Sequence, residues 1–530
     1  MPASPTPSRS RSLIPSPAKI LACVAATACL GFAVPAPAAN LDAIGVTLLR
    51  ATTTNLNGAG IRVAQAEAGS PAWEVNPTAA ALTAGAFTYY SSSGSAATYP
   101  NALGSESPHA DGVGARLYGP GTGVATNVLH VDNYEASYFV STVVFGQQAI
   151  SAPLVNQSFA GSTSQQSSFD SPYDNYAATH GTLFVSAAGD SGPVVPPSTC
   201  YNGISVGAYQ GASSTGPTPD NGRAKPDLTA PEDATSDSCP LVTGAAALLL
   251  QAAARGDAGP STATAAADSR TIKALLLNGA IKPADWTHPG ASPLDVRYGA
   301  GILNVFNSYQ QLAGGLHSFT TTTSVSSGAA HPPPSVSGNV NTNSGWDFNT
   351  ISSSILNDGV NHYFFNLTNA PANGGFTGTI TLVWQRQSGQ SGINDLNLYL
   401  YTAAGTLVQA SVSAVDNVEH IFVTKLPPGR YDLQVLKSGG LGGKSVSTSE
   451  TYGLAFEFFT ETLGCARSGN GNIILTWPVY PAGFVVQTTA SLKAPASWST
   501  LNVTPVISNR QNVLTLNATT GNQFFRLARP

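Results

Sequence analysis

At 530 residues the chain is longer than one ordinary hydrophobic core serves, so two or three domains are expected. Only 10% of residues are charged and the formal net charge is −5. No basic run exists to neutralise phosphates, which excludes nucleic acid as an expected partner, and the abundance of Gly, Ser, Thr and Ala suits an extracellular protein of sandwiches and tight turns.

In chain order, residues 1–39 carry Arg9, Arg11 and Lys19, then an apolar run over 20–34, then Pro-Ala-Pro-Ala-Ala ending at Ala39. That order predicts a secretory signal peptide and a secreted product, extracellular or periplasmic. No later run reaches the ~20 apolar residues of a membrane helix, so no membrane insertion is expected. From about 61 to 310, short apolar runs alternate with helical stretches, the pattern of an α/β domain with a mostly parallel sheet. Strands are predicted at 61–66, 128–131, 154–157, 183–188 and 204–208, with helices opening at Ser236 and around 271–277. The domain is placed at 40–316 and a Pro-rich linker at 317–335. Short alternating runs at 379–384, 396–401, 420–423 and 431–435 predict a β-sandwich over 336–463. A last small all-β module is placed at 464–530.

Cys23 and Cys29 leave with the signal, and Cys200, Cys239 and Cys465 remain. An odd count allows one internal bridge at most; Cys200 and Cys239 either pair or stay as two buried thiols.

The densest signal is Lys225-Pro226-Asp227-Leu228-Thr229-Ala230-Pro231, then Ala234-Thr235-Ser236-Asp237, then a helix of small residues. A serine presented at a helix N-terminus sits where unpaired amides and the helix dipole favour developing negative charge, which suits attack on a carbonyl. Taken alone, the pattern fits a plain N-cap equally well.

Further segments in the same order resemble the subtilisin-like serine peptidases over roughly 58–312. Gly58-Ala59-Gly60-Ile61-Arg62-Val63-Ala64-Gln65-Ala66-Glu67 is similar to the strand that ends in the family's triad acid, and its acid is Glu67. His109-Ala110-Asp111-Gly112 resembles the segment that opens the histidine helix. Leu154-Val155-Asn156-Gln157-Ser158-Phe159-Ala160-Gly161 is similar to the strand that pairs with substrate backbone, and Val185-Ser186-Ala187-Ala188-Gly189-Asp190 to the oxyanion loop. The resemblance implies an endopeptidase acting on proteins or peptides as a monomer, with no cofactor required. Its catalytic residues would be Ser236 as nucleophile, His109 as general base and Glu67 as orienting acid, with Asp190 at the oxyanion position and Ser158, Phe159, Ala160 and Gly161 binding substrate.

Three positions depart from the family pattern. Glu67 replaces an aspartate. Asp190 replaces an asparagine, and an ionised carboxylate only accepts; the related sedolisins place an aspartate there and work in acid, so an acidic optimum follows if Asp190 is protonated. Asp237 puts another carboxylate beside the nucleophile. Together these departures support a second reading, a catalytically impaired protein of the same fold that binds peptides or polymers. A third reading rests on Gly189-Asp190-Ser191-Gly192-Pro193, similar to the nucleophile motif of chymotrypsin-like peptidases, with Ser191 catalytic. It requires an all-β double barrel, which the helical stretches after Ser236 contradict.

In the sandwich, Asn394-Asp395-Leu396-Asn397 and Leu426-Pro427-Pro428-Gly429 resemble the accessory domain after many secreted bacterial peptidases. Asp395 and Asn397 offer oxygens of the type calcium takes, but two fall far short of the 6–8 it needs, so polar residues on a solvated strand face are the reading there and no metal site is assigned.

Overall fold

The computed structural model describes residues 38–530 apart from 79–85, 221, 289–291, 369–374, 461, 469–471, 481, 509–510, 518–521 and 529–530. The expected signal segment therefore lies, but for Ala38 and Ala39, outside the described residues.

The N-terminal domain is built on a sheet of eight strands: β1 (Arg62–Glu67), β2 (Ala86–Ser91), β3 (Gly94–Ala96), β4 (His130–Glu135), β5 (Leu154–Gln157), β6 (Leu183–Ala187), β7 (Ile204–Ala208) and β8 (Leu228–Ala230). Their spatial order is β8-β7-β6-β5-β1-β4-β2-β3, parallel throughout except for the β2–β3 hairpin. Central strands such as Leu154–Gln157 and Leu183–Ala187 are buried at every position, as expected where helices cover both faces of a parallel sheet. The longer helices, with two short N-terminal ones, are α1 (Ala38–Ala43), α2 (Val46–Thr52), α3 (Pro108–Tyr118), α4 (Gln166–His180), α5 (Thr235–Arg255), α6 (Ser269–Asn278) and α7 (Val305–Ala313).

Helix α5 is long and apolar enough to cross a membrane, but 89% of that stretch is buried inside the protein, so it is the core helix of the domain. Its small residues bring it close to its neighbours: a Cβ on Gly244 would come 2.5 Å from the Val124 Cβ. Helices α1 and α2 were not anticipated from the sequence. Leu41, Ile44, Val46 and Leu49 are buried in the same core, and Val305 N donates to Ile44 O at 2.8 Å.

Thr321–Ser326, inside the stretch expected to be a linker, is instead a strand paired antiparallel with Asn357–Leu367. Its Thr and Ser side chains alternate between half-buried and exposed, so no apolar alternation marked it. The chain then crosses the sheet under hydrogen bonds between His331 and Gln434. The rest is the anticipated β-sandwich, one sheet of five strands and one of four, all antiparallel.

The four-stranded sheet docks on the first domain, and one strand explains how. In Phe376–Trp384 every residue is buried. Phe376, Ile380, Leu382 and Trp384 point into the sandwich core, while Val383 joins the first domain's core. Thr379 and Thr381, on the Val383 side, donate through Oγ1 to Asn278 Oδ1 at 3.0 Å each. The period-2 geometry of a strand thus serves two cores at once. The C-terminal strands from Gly464 form two small sheets, anchored by buried Val479 and by Ala482 N donating to Asn307 Oδ1 at 2.8 Å.

Cys200 and Cys239 are both free. They belong to core clusters on opposite faces of the sheet, so no bridge joins them. Burial pushes both thiols up to about 12, which leaves them unreactive.

Candidate active site

The site lies at the C-terminal ends of the parallel strands, where open α/β sheets place their chemistry. Glu67 is the last residue of β1 and fully buried. Its Oε2 is 2.8 Å from His109 Nδ1, so this ring nitrogen carries the proton that it donates and Nε2 is left to accept. The other oxygen, Oε1, accepts from Gln65 Nε2 at 2.8 Å. Gln65 is fixed in turn: its Nε2 donates to Ala110 O at 2.9 Å and its Oε1 accepts from the buried Tyr118 hydroxyl at 2.7 Å. Residues 65 and 67 share one face of β1, and residues 110 and 118 belong to the histidine's own helix, so Glu67 and His109 are held by one connected set of bonds.

His109 occupies the first turn of α3, capped by Ser107, whose Oγ accepts from Ala110 N at 3.3 Å. Its side chain is 46% exposed. Burial by itself would lower its pKa; the charge and hydrogen bond of Glu67, with the charge of Asp237, outweigh that and raise it above the ordinary histidine value, while Arg116 opposes them.

Ser236 is the second residue of α5, since Ala234 takes the N-cap position in an extended conformation. The plain N-cap reading is thereby removed. In this first turn Thr235 N donates to Asp190 Oδ1 at 2.9 Å, and Asp237 N and Ser238 N both donate to Ala234 O at 3.2 and 3.1 Å. Among the described residues Ser236 N has no acceptor, so one amide at the positive end of a 21-residue helix remains open beside the hydroxyl. No hydrogen bond between described residues joins the His109 ring to Ser236 Oγ; the two helices are instead tied by an ion pair of Arg116, on α3, with Asp237.

Asp190 follows the end of β6. Its Oδ1 accepts from both the amide and the hydroxyl of Thr235, at 2.9 and 2.8 Å, and Thr235 Oγ1 accepts from Gly189 N at 3.2 Å. Ser158 lies just beyond β5 and donates through Oγ to Ser236 O at 2.8 Å. Phe159 is buried, Ala160 and Gly161 are half-buried, and Gly161 N donates to Pro196 O at 2.7 Å. Ser191 is exposed, on a loop of an α/β domain rather than a double barrel.

Residues 108–301 match the model of the subtilase family, Peptidase_S8. These residues form a subtilase-family serine peptidase domain. The matched segment contains His109, Asp190 and Ser236 but begins after Glu67. The chain is similar to the patellamide maturation protease PatA (20% identity, 48% of this chain and 98% of that one, TM-score 0.33). Similar figures hold for the prenylagaramide maturation protease PagA (20%, 51% and 99%, 0.37) and a protease from Pseudoalteromonas arctica (19%, 53% and 100%, 0.36). Similarity of that degree does not decide the assignment, which stands on the matched segment. No curated protein matches the chain.

Sequence reasoning missed Gln65, Tyr118, Arg116 and Thr235. Two of them left a trace: Gln65 is a polar residue two positions before the acid on a strand, and Arg116 lies seven positions after His109 on one helical face.

Among the described residues no group of three or more His, Cys, Asp or Glu converges to hold a metal. In the sandwich, Asp395 and Asn397 are buried rather than on a solvated face: Asp395 accepts from Asn397 Nδ2 at 3.1 Å and from Ser438 Oγ at 3.0 Å, so its oxygens serve the protein's own donors.

Proposed function

We propose that the chain is a secreted serine endopeptidase that cleaves proteins or peptides through an acyl-enzyme on Ser236, as a monomer without a cofactor. Secretion is drawn from the order of basic, apolar and small residues over 1–39. His109 Nε2 takes the proton of the Ser236 hydroxyl as Oγ attacks the scissile carbonyl, and the carbonyl oxygen becomes the oxyanion. Ser236 N, at the helix tip, donates to it. Collapse of the tetrahedral species breaks the C–N bond, and the leaving amine takes the proton back from His109. Water then repeats the sequence to release the acid. Glu67 fixes the imidazole tautomer and stabilises the imidazolium. Ser158, whose Oγ donates to Ser236 O, leads into Phe159, Ala160 and Gly161, along which an extended substrate strand would run.

The observation that carries this reading is the 2.8 Å bond between Glu67 and His109, held by Gln65 and Tyr118, on a helix that Arg116 ties to Asp237, the residue after Ser236. The longer arm of a glutamate is accommodated because Gln65 takes its second oxygen.

On pH, the raised pKa of His109, which removes the base at low pH, favours a neutral to alkaline working range over the acid one drawn from Asp190. Labelling by a fluorophosphonate probe and a pH series of peptide hydrolysis, with Ser236→Ala as control, test the reading. Hydrolysis that survives in Ser236→Ala would overturn it.

The second reading, an impaired peptidase that binds peptides or polymers, draws on the missing amide donor at 190 and the unformed His109–Ser236 bond. A wild-type protein that neither labels nor hydrolyses at any pH, yet retains a bound peptide, would favour it.

A further inference from the structure

We infer that Arg116 is a positioning residue for this site, clamping the histidine helix to the nucleophile helix through Asp237 and Glu232; the inference rests on the peptidase reading above. Arg116 stands two turns along α3 from His109. Its Nη1 is 3.2 Å from Asp237 Oδ1, the side chain directly after Ser236, and its Nε is 3.4 Å from Glu232 Oε2, in the loop that leads to α5. Nη1 also donates to Gly112 O at 3.2 Å, which braces the guanidinium against its own helix. Glu232 is held from its other oxygen by Asn40 Nδ2 at 2.7 Å. The fork is only 16% exposed and Asp237 28%, so water screens the pair weakly.

Two consequences follow from this placement. The distance between His109 and Ser236 is set by helices whose relative position this one planar fork fixes from both sides of the nucleophile, a task that a point charge on a flexible stem performs less well. The same contact offsets a carboxylate that would otherwise stand uncompensated next to the developing oxyanion. Asp237 is a departure that looked damaging in the sequence; with Arg116 it becomes half of an ion pair at the tip of a helix whose dipole also favours an anion there.

The charges that face His109 are Glu67 from β1, Asp237 from α5 and Arg116 from α3. Glu67 and Asp237 favour the imidazolium and Arg116 disfavours it. The test therefore uses Arg116→Ala, Arg116→Lys, Asp237→Asn and the double variant Arg116→Ala with Asp237→Asn, in the full chain. It reads kcat and KM against pH and, independently of turnover, the titration of the His109 ring by NMR. For Arg116→Ala, kcat is expected to fall by up to about 10²-fold with KM little changed, and the acid limb and the ring titration to move to higher pH. Asp237→Asn is expected to move both to lower pH. The double variant should bring them back toward wild type, and Arg116→Lys should restore the titration but only part of kcat. A residue that merely holds the fold would not shift the His109 titration in opposite directions.

An unmoved titration in both single variants, or an unchanged kcat in Arg116→Ala, overturns the inference. If the wild-type protein hydrolyses nothing, the peptidase reading fails by itself. The ring titration then still decides whether Arg116 and Asp237 act on His109.

Discussion

One oxygen of Asp190 takes two hydrogen bonds from Thr235, the residue before Ser236, one from its amide and one from its hydroxyl. The carboxylate thus supplies from a neighbouring loop the cap that Ala234 lacks. This role needs only an acceptor, which an amide oxygen also provides. Asp190→Asn is therefore expected to keep the cap and add a donor, raising kcat by as much as about 10²-fold at neutral pH. Steady-state kinetics on a peptide substrate measures it; a fall in kcat would show that the charge of Asp190 serves the site.

Glu67→Gln is expected to lower kcat by about 10⁴-fold with little change in KM, because an amide can hold the imidazole in the wrong tautomer. Circular dichroism should show the fold retained. A loss below tenfold would mean that His109 does not depend on this partner.

The acid limb of kcat/KM is expected above the ordinary histidine value. His109 must be neutral to accept the Ser236 proton. Burial pulls its pKa down, but the Glu67 carboxylate and its hydrogen bond, with the charge of Asp237, win and raise it, so the neutral fraction arrives at higher pH. A limb at or below the ordinary value would contradict that balance.

Stability should respond to pH in the opposite sense. Burial raises Asp347 to about 6 and Glu450 to about 7. A carboxyl raised in the folded state binds more protons there than when unfolded, so its contribution is full in acid and is lost as pH climbs from roughly 4 through these values. Burial would raise Asp227 as well, but Lys225 and Lys273 hold it below the ordinary value, so its opposite effect falls beneath that window. The thermal midpoint is expected to be higher near pH 5 than near pH 8, with a slope flattened in Asp347→Asn and Glu450→Gln. A midpoint that rises with pH would refute the assignment.

Gly453, on the strand Ser449–Thr460, lies against α6, where an added Cβ would come 2.7 Å from the backbone carbon and oxygen of Arg270. Gly453→Val is expected to lower stability by about 1–3 kcal/mol, read by denaturant unfolding, since the obstacle is main chain on both sides. A change within about 0.5 kcal/mol would mean that the sandwich shifts freely on the first domain.

The segments that carry Glu67, His109, Asp190 and Ser236 stood out because each is a short stretch of distinctive residue types, and the structure brings Glu67 and His109 into contact. The strands at 154–157 and 204–208 were legible from Leu154-Val155 and from Ile204 and Val206, short apolar stretches between turn residues, although Asn156, Gln157 and Ser205 are buried among them. What escaped notice was carried by contacts between distant segments. Arg116 reads as an ordinary surface arginine until α5 is laid beside α3, and Gln65 as a stray polar residue until Tyr118 is opposite it. The strand at 321–326 is Thr- and Ser-rich and hid in a stretch whose prolines suggested a tether. Helices α1 and α2 were too short for periodicity to register.

The strand Phe376–Trp384 contributes to two hydrophobic interiors at once, and this bears on how the tail can work. It is no swinging arm. Its two faces are packed in both interiors, so the sandwich meets the first domain across a shared surface rather than at the end of a tether alone.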